Sequence, residues 1–412
     1  MNILYIHSHD TGRYLQPFGY AVPAPNLQRL AEEGVLFRKA FSAAPTCSPS
    51  RAALLTGLWP HQSGMLGLAH RGFRLHDYGR LLPRVLQQAG FATAHFGAQH
   101  VAAGELIGEL GYSESFRESN RAAVVAPAAA EWLRRGPKQP FFLDVGFSET
   151  HRKFHEPGPA EDARWCAPPA PLPDSPLARE DMAAFKASAR VLDGGVGQVL
   201  RALDESGLAD DTLVLSTTDH GIAFPAMKCN LTDHGIGVSL IMRGPAGFRG
   251  GKVVDAMVSH VDVFPTVCEL TGVPAPAWLV GRSLAPLLRG EAAEVREELF
   301  AEVTYHAAYE PQRAVRTRRW KYIRRFDGRA RPNLPNCDDG PSKDAWLKEG
   351  WRARESEAEQ LYDLAFDPKM IESERGVSGH VLGDGRAGLL GLHQQLARIA
   401  RRPVALGAVG EV

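Results

Sequence analysis

Short apolar runs alternate along most of the chain with stretches in which apolar residues recur every three or four positions. The apolar runs predict buried strands, and the stretches with helical spacing predict amphipathic helices. The predicted strands are 3–8, 35–40, 92–96, 141–146, 213–216 and 238–242, and the predicted helices are 24–31, 81–88, 127–133 and 179–203. This alternation predicts an α/β fold in which helices sandwich a large, mostly parallel sheet.

The pattern changes near residue 290. Beyond this point basic and aromatic residues occupy strand-like segments, and residues 386–401 place Leu, Ile, Ala and basic residues at helical spacing. We therefore predict a catalytic domain at 1–290 and a small C-terminal α+β subdomain at 291–412. The subdomain is expected to contain an antiparallel sheet and to end in a helix at 386–401.

Composition indicates an ordinary globular protein. Of the 412 residues 44% are hydrophobic, which is enough for a large core, and the 47 basic residues balance the 47 acidic ones. No net charge therefore favours nucleic acid or a membrane surface as a partner. The basic segment 316–325 (RTRRWKYIRR) is interpreted as an edge strand with solvated charges rather than as a nucleic-acid surface.

The sequence offers no sign of export. It opens on MNILYIHSHD without a charged and apolar leader, and no run of about 18 apolar residues occurs. The five cysteines have no paired spacing, which argues against disulfides and against a thiolate zinc site. These features predict a cytoplasmic protein with no membrane partner.

The segment Cys47-Ser48-Pro49-Ser50-Arg51 fits the pattern C-x-P-S-R. The formylglycine-generating enzyme reads this pattern and oxidises the cysteine to an aldehyde, so formylglycine is predicted at position 47, with that enzyme as a maturation partner. One hydroxyl of the hydrated aldehyde can attack sulfur or phosphorus, and the other can later expel the bound group. A short helix ending at Gly57 would present its N-terminus and Arg51 to an anionic ester. The alternative is an ordinary buried cysteine.

Two predicted strands are followed directly by acidic residues and histidines. His9 and Asp10 follow strand 3–8, and Asp219 and His220 follow strand 213–216. The carboxyl ends of parallel strands meet at one edge of a sheet, which would bring these side chains together near position 47. A divalent cation held there would polarise an ester. Taken singly, each pair could instead cap a helix or lie on the surface.

Several segments together resemble type I sulfatases of the alkaline phosphatase superfamily. They are NILYIHSHD at the start, the segment from Cys47 to Gly57, LVLSTTDHG from Leu213, and GRSL from Gly281, in the family's order and spacing. HQSGM from His61, and PFFL from Pro140 leading to His151-Arg152, look closest to the heparan N-sulfatase (sulfamidase) branch and its bacterial relatives. The resemblance implies an alkaline phosphatase-like fold and a metal-dependent hydrolase of sulfuric esters or sulfamates.

The same resemblance implies roles for individual residues. One divalent metal, Ca²⁺ in the family, would be held by His9, Asp10, Cys47, Asp219 and His220. Arg51 would support the formylglycine, His100 would lie near its second hydroxyl, and His151 would protonate the leaving group. Substrate binding is assigned to Gln99, Lys228 and His234. His100, His151 and Lys228 could each be ordinary side chains, and Asp233-His234-Gly235 could be a turn before the strand at Val238.

The chain departs from the family pattern at three places. His9 and His220 stand where sulfatases have Asp and Asn, and Ca²⁺ prefers oxygen whereas imidazole suits Mn²⁺, Zn²⁺ or Fe²⁺. The late Asp-His pair also occurs in phosphonate monoester hydrolases. Gly97-Ala98-Gln99-His100 lacks the lysine of the family's G-K-x-H segment, which leaves a less positive pocket.

Three hypotheses for function follow. The first is a sulfatase acting on a small-molecule or saccharide sulfate ester or sulfamate. The second is a phosphonate monoester hydrolase or phosphodiesterase with the same nucleophile. The third is a non-catalytic binding protein in which Cys47 stays unmodified. The sequence leaves the substrate, the metal and the oligomeric state open, a homo-oligomer included.

Overall fold

The computed structural model describes residues 1–370. The strands are β1 Asn2–Ser8, β2 Val35–Phe41, β3 Ala92–Gly97, β4 Glu114–Phe116, β5 Phe141–Gly146, β6 Thr212–Thr218, β7 Gly237–Val238, β8 Leu240–Arg243, β9 Lys252–Ser259, β10 Glu298–Tyr305, β11 Tyr309–Thr317, β12 Trp320–Arg325 and β13 Glu359–Asp363. The helices are α1 Pro25–Glu33, α2 Cys47–Thr56, α3 Pro60–Ser63, α4 Leu82–Gln88, α5 Ala122–Arg134, α6 Pro176–Glu205, α7 Asp233–Ile236, α8 Val263–Thr271, α9 Ala285–Arg289 and α10 Pro341–Lys348.

A nine-stranded mixed sheet forms the larger part of the described structure. Its order is β4-β3-β5-β1-β6-β8-β2-β7, and β9 pairs with β2. The strands from β4 to β6 in this order are parallel, whereas β8 runs antiparallel to both β6 and β2. Because β1 and β6 are parallel neighbours with Ser8 beside Thr218, the residues that follow these two strands emerge together.

Each face of this sheet is covered by helices. Leu4 and Ile6 of β1 pack in one apolar layer with α1, α5 and α6. Ile3 and Tyr5, which point to the opposite face, pack in a second layer with α2, α4 and α8. Alternate residues of a strand face opposite sides, so a continuous apolar strand is the expected sequence for a sheet buried on both faces. The predicted helix-sandwiched, mostly parallel sheet is confirmed.

A second, four-stranded antiparallel sheet has the order β10-β11-β12-β13. The prediction that residues 316–325 form an edge strand with solvated charges is wrong. The segment spans the end of β11, a turn and β12, and β12 lies between β11 and β13. Arg316 and Lys321 are buried because both bind the Asp233 carboxylate, with Lys321 Nζ at 2.9 Å. The local pattern could not reveal a partner so far away in the chain.

Most predicted elements of the large sheet agree with the structure to within a few residues. The predicted strand 238–242 is instead two strands, because Ser239 bonds out of the ladder: its N–H donates to Gly12 O and its carbonyl accepts from Thr217 Oγ1. The predicted terminal helix 386–401 lies outside the described residues, and the domain boundary at 290 stays a prediction. None of the helices within residues 1–370 has the length and apolarity that a membrane span requires.

Candidate active site

Cys47 is the first residue of α2, as the sequence predicted, and its side chain is buried. Thr46 before it is extended, so the chain turns into the helix at this position. Burial, with Asp10 and Asp219 nearby, raises the pKa of the Cys47 thiol well above its usual range. A thiol that stays protonated is a weak nucleophile. The position is therefore poorly suited to cysteine chemistry as such, although it lies at a helix N-terminus, where free N–H groups favour anions.

The side chains that follow β1 and β6 meet beside Cys47. The N–H of Asp10 donates to Asp219 Oδ1 at 2.8 Å, which joins the two strand ends. His220 Nε2 lies 3.2 Å from Asp10 Oδ1 and 3.7 Å from Asp219 Oδ2. Cys47 Sγ lies 3.3 Å from His220 Nε2 and 3.9 Å from Asp10 Oδ1. The structure thus brings together residues that are more than 200 positions apart in the chain.

This cluster fits a divalent cation. Ligand atoms of His9, Asp10, Cys47 and Asp219 all lie within 4.8 Å of one another, and all four residues are buried. Within residues 1–370, His9 Nδ1 has no hydrogen-bond partner, although it is 3.4 Å from Asp219 Oδ2. Burial and Arg51 hold the pKa of His9 well below its usual range, so its ring is in the neutral form that binds metals. His220, the fifth predicted ligand, contacts both carboxylates.

Arg51 joins α2 to the two strand ends. Its Nη2 donates to Ser8 O at 2.7 Å and to Asp219 Oδ2 at 3.0 Å, and its Nη1 is 2.5 Å from His7 Nδ1. Burial and Arg51 lower the pKa of His7. A neutral His7 can therefore accept at Nδ1 and donate from Nε2 to Asp144 Oδ1, at 2.9 Å. Sequence reasoning missed this buried support behind Arg51.

His100 lines a cavity of about 350 Å³ that leads to the cluster. The cavity is lined by His9, His70, Ala98, Gln99, His100, Ala102, Asn120, Arg121, Ser148, His151 and Arg152. His100 Nε2 lies 2.9 Å from His70 Nδ1, whereas His100 Nδ1 is buried and has no partner in the described part of the chain. Burial and Arg51 lower the pKa of His100 to about 3. Its neutral ring can accept a proton through Nδ1.

Gln99 lines the same cavity, but its side chain is used by its own loop. Its Oε1 accepts from the N–H groups of Val101 and Ala102 at 2.6 and 2.9 Å, and its Nε2 donates to Ala102 O at 2.7 Å. These three bonds hold the loop in which His100 adopts a positive φ of 61°. The geometry therefore gives Gln99 a positioning role toward His100, in addition to the predicted contact with substrate.

Lys228 and His151 lie on the other side of the cluster. Lys228 Nζ bonds to Asp10 Oδ2 and to Asp338 Oδ2, both at 2.8 Å, and is 3.5 Å from His151 Nε2. His151 Nδ1 donates to Arg152 O at 2.6 Å, which leaves Nε2 facing the site. Burial alone would lower the pKa of Lys228, but Asp10, Cys47 and Asp338 outweigh it and raise that pKa well above its usual range. A charged, buried ammonium thus lies at the site, held between two carboxylates.

Three residues of the site were missed in the sequence. They are His70, Asp338 and His306. The His306 side chain is buried, and its Nδ1 has no hydrogen-bond partner in the part of the chain that the structure describes. Burial and Lys228 lower the pKa of His306 to about 3, so its ring is neutral. His306 lies in the turn between the antiparallel strands β10 and β11, to which the rule for the ends of parallel strands does not apply. Asp338 and His70 follow no strand, so this rule gave no signal for them either.

The structure does not bring His234 to this cluster. Its Nδ1 lies 2.7 Å from the Tyr14 hydroxyl, and its Nε2 donates to Lys369 O at 2.6 Å. It lines a cavity with Asn333 and Trp346 rather than the one with His9 and His100. The alternative interpretation is closer to what is observed, because Asp233–Ile236 forms the short helix α7 before β7. Both ring nitrogens are engaged, which leaves the predicted substrate contact without a free polar atom.

A helix-sandwiched, mostly parallel sheet with a buried cysteine, candidate cation ligands and a buried lysine gathered beyond its strand ends is the arrangement expected of an alkaline phosphatase-like hydrolase. A family model described as Sulfatase matches residues 1–273, and one described as N-sulphoglucosamine sulphohydrolase, C-terminal, matches residues 227–343. The chain therefore belongs to the sulfatase family, whose members are hydrolases acting on sulfate esters.

Similar proteins agree with this assignment. N-sulphoglucosamine sulphohydrolase of Homo sapiens is 32% identical over 347 residues, which are 74% of this chain and 68% of that protein. A structure solved with its substrate D-glucosamine-2-N,6-O-disulfate has a TM-score of 0.74 at 16% identity, covering 98% of this chain and 99% of the other. The phosphonate monoester hydrolase of Agrobacterium radiobacter has a TM-score of 0.74 at 20% identity, covering 97% and 95%. At such identities the two structures show the shared fold.

Proposed function

We propose that this protein is a metal-dependent sulfatase in which residue 47, converted to formylglycine, serves as the nucleophile toward a sulfate ester or sulfamate. The observation that carries the proposal is the position of Cys47 at a helix N-terminus, in contact with His220 and Asp10. A second observation supports the modification. His100 Nδ1 is buried beside this position without a partner in residues 1–370, as expected for an acceptor that waits for a hydroxyl.

The bound metal would supply a Lewis acid that polarises the sulfuryl oxygens and favours ionisation of a hydroxyl at residue 47. His9, Asp10, Asp219 and His220 would hold it, and Arg51 would keep Asp219 in place. The mixed nitrogen and oxygen donors favour Mn²⁺ or another transition metal over the Ca²⁺ that the family resemblance implies. Metal analysis of the purified protein tests this choice.

The remaining residues bind the anion and move protons. Lys228 would neutralise charge on the sulfuryl oxygens in the transition state, and His151 would give a proton from Nε2 to the departing oxygen or nitrogen. His100 would accept a hydroxyl proton at Nδ1. The cavity of about 350 Å³ that His100 and His151 line suits a small sulfated molecule or one saccharide unit. The names of the human relative and of the ligand in the solved structure favour an N-sulfated aminosugar.

The test combines mass spectrometry of the peptide that contains residue 47 with an assay of sulfate hydrolysis. Conversion of Cys47 to formylglycine lowers the mass of its peptide by about 18 Da. The converted protein should hydrolyse N-sulfoglucosamine or an aryl sulfate, and Cys47→Ala should lose turnover while keeping its thermal unfolding temperature. An intact thiol after expression with the formylglycine-generating enzyme would contradict the proposal. It would leave the hypothesis of a binding protein, which the buried, protonated thiol would fit.

A second candidate function is hydrolysis of a phosphonate monoester or phosphodiester. It is favoured by the Asp219-His220 pair and by Ala98 at the position of the family's lysine. A comparison of kcat/KM for an aryl sulfate and a matched aryl phosphonate separates the two candidates. A large preference for phosphorus would replace the first candidate by the second.

We also propose that the protein works in the cytoplasm. All five cysteines are free, which suits a reducing compartment. Fractionation of cells that express the natural full-length protein tests this location. Its recovery with the periplasmic or extracellular fraction would contradict it.

A further inference from the structure

His70 lines the cavity but has no part in the roles described above. It is exposed, and its Nδ1 lies 2.9 Å from His100 Nε2. The two rings are nearly parallel, with 4° between their planes and 5.1 Å between their centroids. His70 thus extends the half-buried His100 toward solvent.

The two histidines are held by separate anchors. His70 lies in the short 3-10 helix Ala69–Arg71, whose first N–H, that of Ala69, donates to Ser48 Oγ at 3.0 Å. Ser48 directly follows residue 47, so His70 is fixed relative to the nucleophile position. His100 is held by the Gln99 loop at a positive φ of 61°, a conformation that costs about 1–2 kcal/mol for a residue with a side chain. Because different contacts position the two residues, the fold itself places the two rings within hydrogen-bond distance of each other.

The contact also determines which nitrogen of His100 faces inward. Nε2 lies within hydrogen-bond distance of His70, so Nδ1 is the ring nitrogen that is left to interact with residue 47. A ring nitrogen of His100 lies within 4.8 Å of Cys47 Sγ. Nδ1 is buried and has no partner in the described residues. If the proton of the neutral ring is on Nε2, His100 donates to His70 and presents the lone pair of Nδ1 to residue 47.

We propose that His70 is the outer member of a two-imidazole relay that carries the proton released at residue 47 to solvent. This inference rests on the proposed function. The hydroxyl proton at residue 47 moves to Nδ1 of His100, the Nε2 proton of His100 moves to Nδ1 of His70, and the Nε2 proton of His70 moves to water. Each ring gains one proton and loses one, so both end neutral in the opposite tautomer. When the aldehyde at residue 47 is hydrated again, the Nδ1 proton of His100 passes to its oxygen and water returns a proton through His70, which restores both tautomers.

The surroundings of His100 explain why such a relay is useful. His100 is close enough to Arg51 for the two to interact, and Lys228 provides a second buried cation at the cluster. A proton kept on His100 would place another positive charge next to these buried cations. Transfer to His70 moves that charge to the exposed end of the cavity, where water stabilises it.

The first test is kinetic and uses the formylglycine-containing, metal-loaded protein with an aryl sulfate. His70→Ala should lower kcat about 10-fold or more while KM changes less than about two-fold, because a positioned proton acceptor contributes about 100-fold or more to a rate. Added imidazole should restore part of kcat. Arg74→Ala, an exposed change on the same loop, is the matched control and should behave as wild type. An unchanged kcat with an unchanged single-turnover rate would overturn the relay.

The second test needs no turnover. Nitrogen-15 NMR of the histidine rings, with His100 and His70 assigned by His100→Gln and His70→Gln, reports which ring nitrogen holds the proton. We expect the Nε2–H form of His100 in the wild type and a mixture of tautomers in His70→Ala. A wild-type His100 protonated at Nδ1 would overturn the relay, because that atom could not accept. A protein that hydrolyses neither sulfates nor sulfamates would refute the proposed function, and with it the inference, even with the expected tautomer.

Discussion

Replacement of Asp219 by asparagine tests the centre of the site with almost no change in shape. Asp219 Oδ2 accepts from Arg51 Nη2 at 3.0 Å, and Oδ1 accepts from the N–H of Asp10 at 2.8 Å. Burial alone would raise the pKa of Asp219, but His220, Arg51 and His9 outweigh it and hold that pKa well below its usual range. The carboxylate is therefore charged at neutral pH, and asparagine removes that charge.

Two separate losses are expected. Without metal, Arg51 becomes a buried cation whose remaining partners are neutral, and breaking such a pair costs about 3–5 kcal/mol of unfolding free energy. With metal present, Asp219→Asn removes a ligand. Mutation of a residue that only supports a ligand weakens metal binding by up to about 100-fold, so loss of the ligand itself should weaken it by at least about 100-fold. At a metal concentration of about 1,000 times the wild-type Kd, stabilisation by metal should fall from about 4.1 to about 1.4 kcal/mol.

The assay is denaturant unfolding of the wild type and Asp219→Asn, in EDTA and in Mn²⁺. Asp210→Asn is the control, because Asp210 lies just before β6 and its side chain is 90% exposed. We expect the control to change stability by less than about 0.5 kcal/mol. The difference between wild type and Asp219→Asn should shrink below about pH 4, because a carboxylate with a depressed pKa loses its stabilising effect as it is protonated.

Equal unfolding midpoints in EDTA would show that Asp219 does not balance Arg51. Equal stabilisation by Mn²⁺ in the two proteins would remove Asp219 from the metal site. Either result alone would refute one half of the reasoning and leave the other half standing, because the two losses are measured under different conditions.

Three further changes test other parts of the molecule. Asp233→Asn should cost about 3–5 kcal/mol at pH 7, since Lys321 and Arg316 stay buried, and the cost should fade below about pH 4; an unchanged unfolding midpoint would contradict this. Lys228→Ala should lower kcat/KM for an aryl sulfate about 100- to 1,000-fold, with Lys228→Arg retaining more, and near-normal activity would exclude the anion clamp. Gln99→Ala should lower kcat more than it raises KM, whereas a change in KM alone would favour direct substrate contact.

The sequence predicted the large sheet well because its strands are buried on both faces. Residues such as Ile3 and Leu4 are apolar whichever face they point to, so β1 is a continuous run that needs no knowledge of its neighbours. The position of the site followed from the same property. Once β1 and β6 are recognised as strands of one parallel sheet, Asp10 and Asp219 must emerge at a common edge.

The contribution of the segment between β12 and β13 could not be predicted in this way. Asp338 reaches Lys228 across 110 positions of sequence, and no local periodicity records such a contact. The same limit explains the error at β12, where Lys321 looks like a solvated lysine until its partner Asp233 is known. Sequence patterns report which face a residue prefers, whereas pairs of buried charges depend on how separate elements pack.

The charges gathered around residue 47 constrain the substrate further. Asp10, Asp219 and Asp338 are balanced in part by Arg51 and Lys228, and low pKa values keep His9, His100 and His306 neutral, which leaves one net negative charge apart from the proton that His151 gives to the leaving group. A divalent cation would turn this into one net positive charge. A sulfate ester, a sulfamate and a phosphodiester each carry a single negative charge and would neutralise it, whereas a phosphate monoester dianion would bring an uncompensated charge into a buried site. The missing lysine at position 98 thus matches a monoanionic substrate, and phosphate monoesters should be the poorest substrates among these classes.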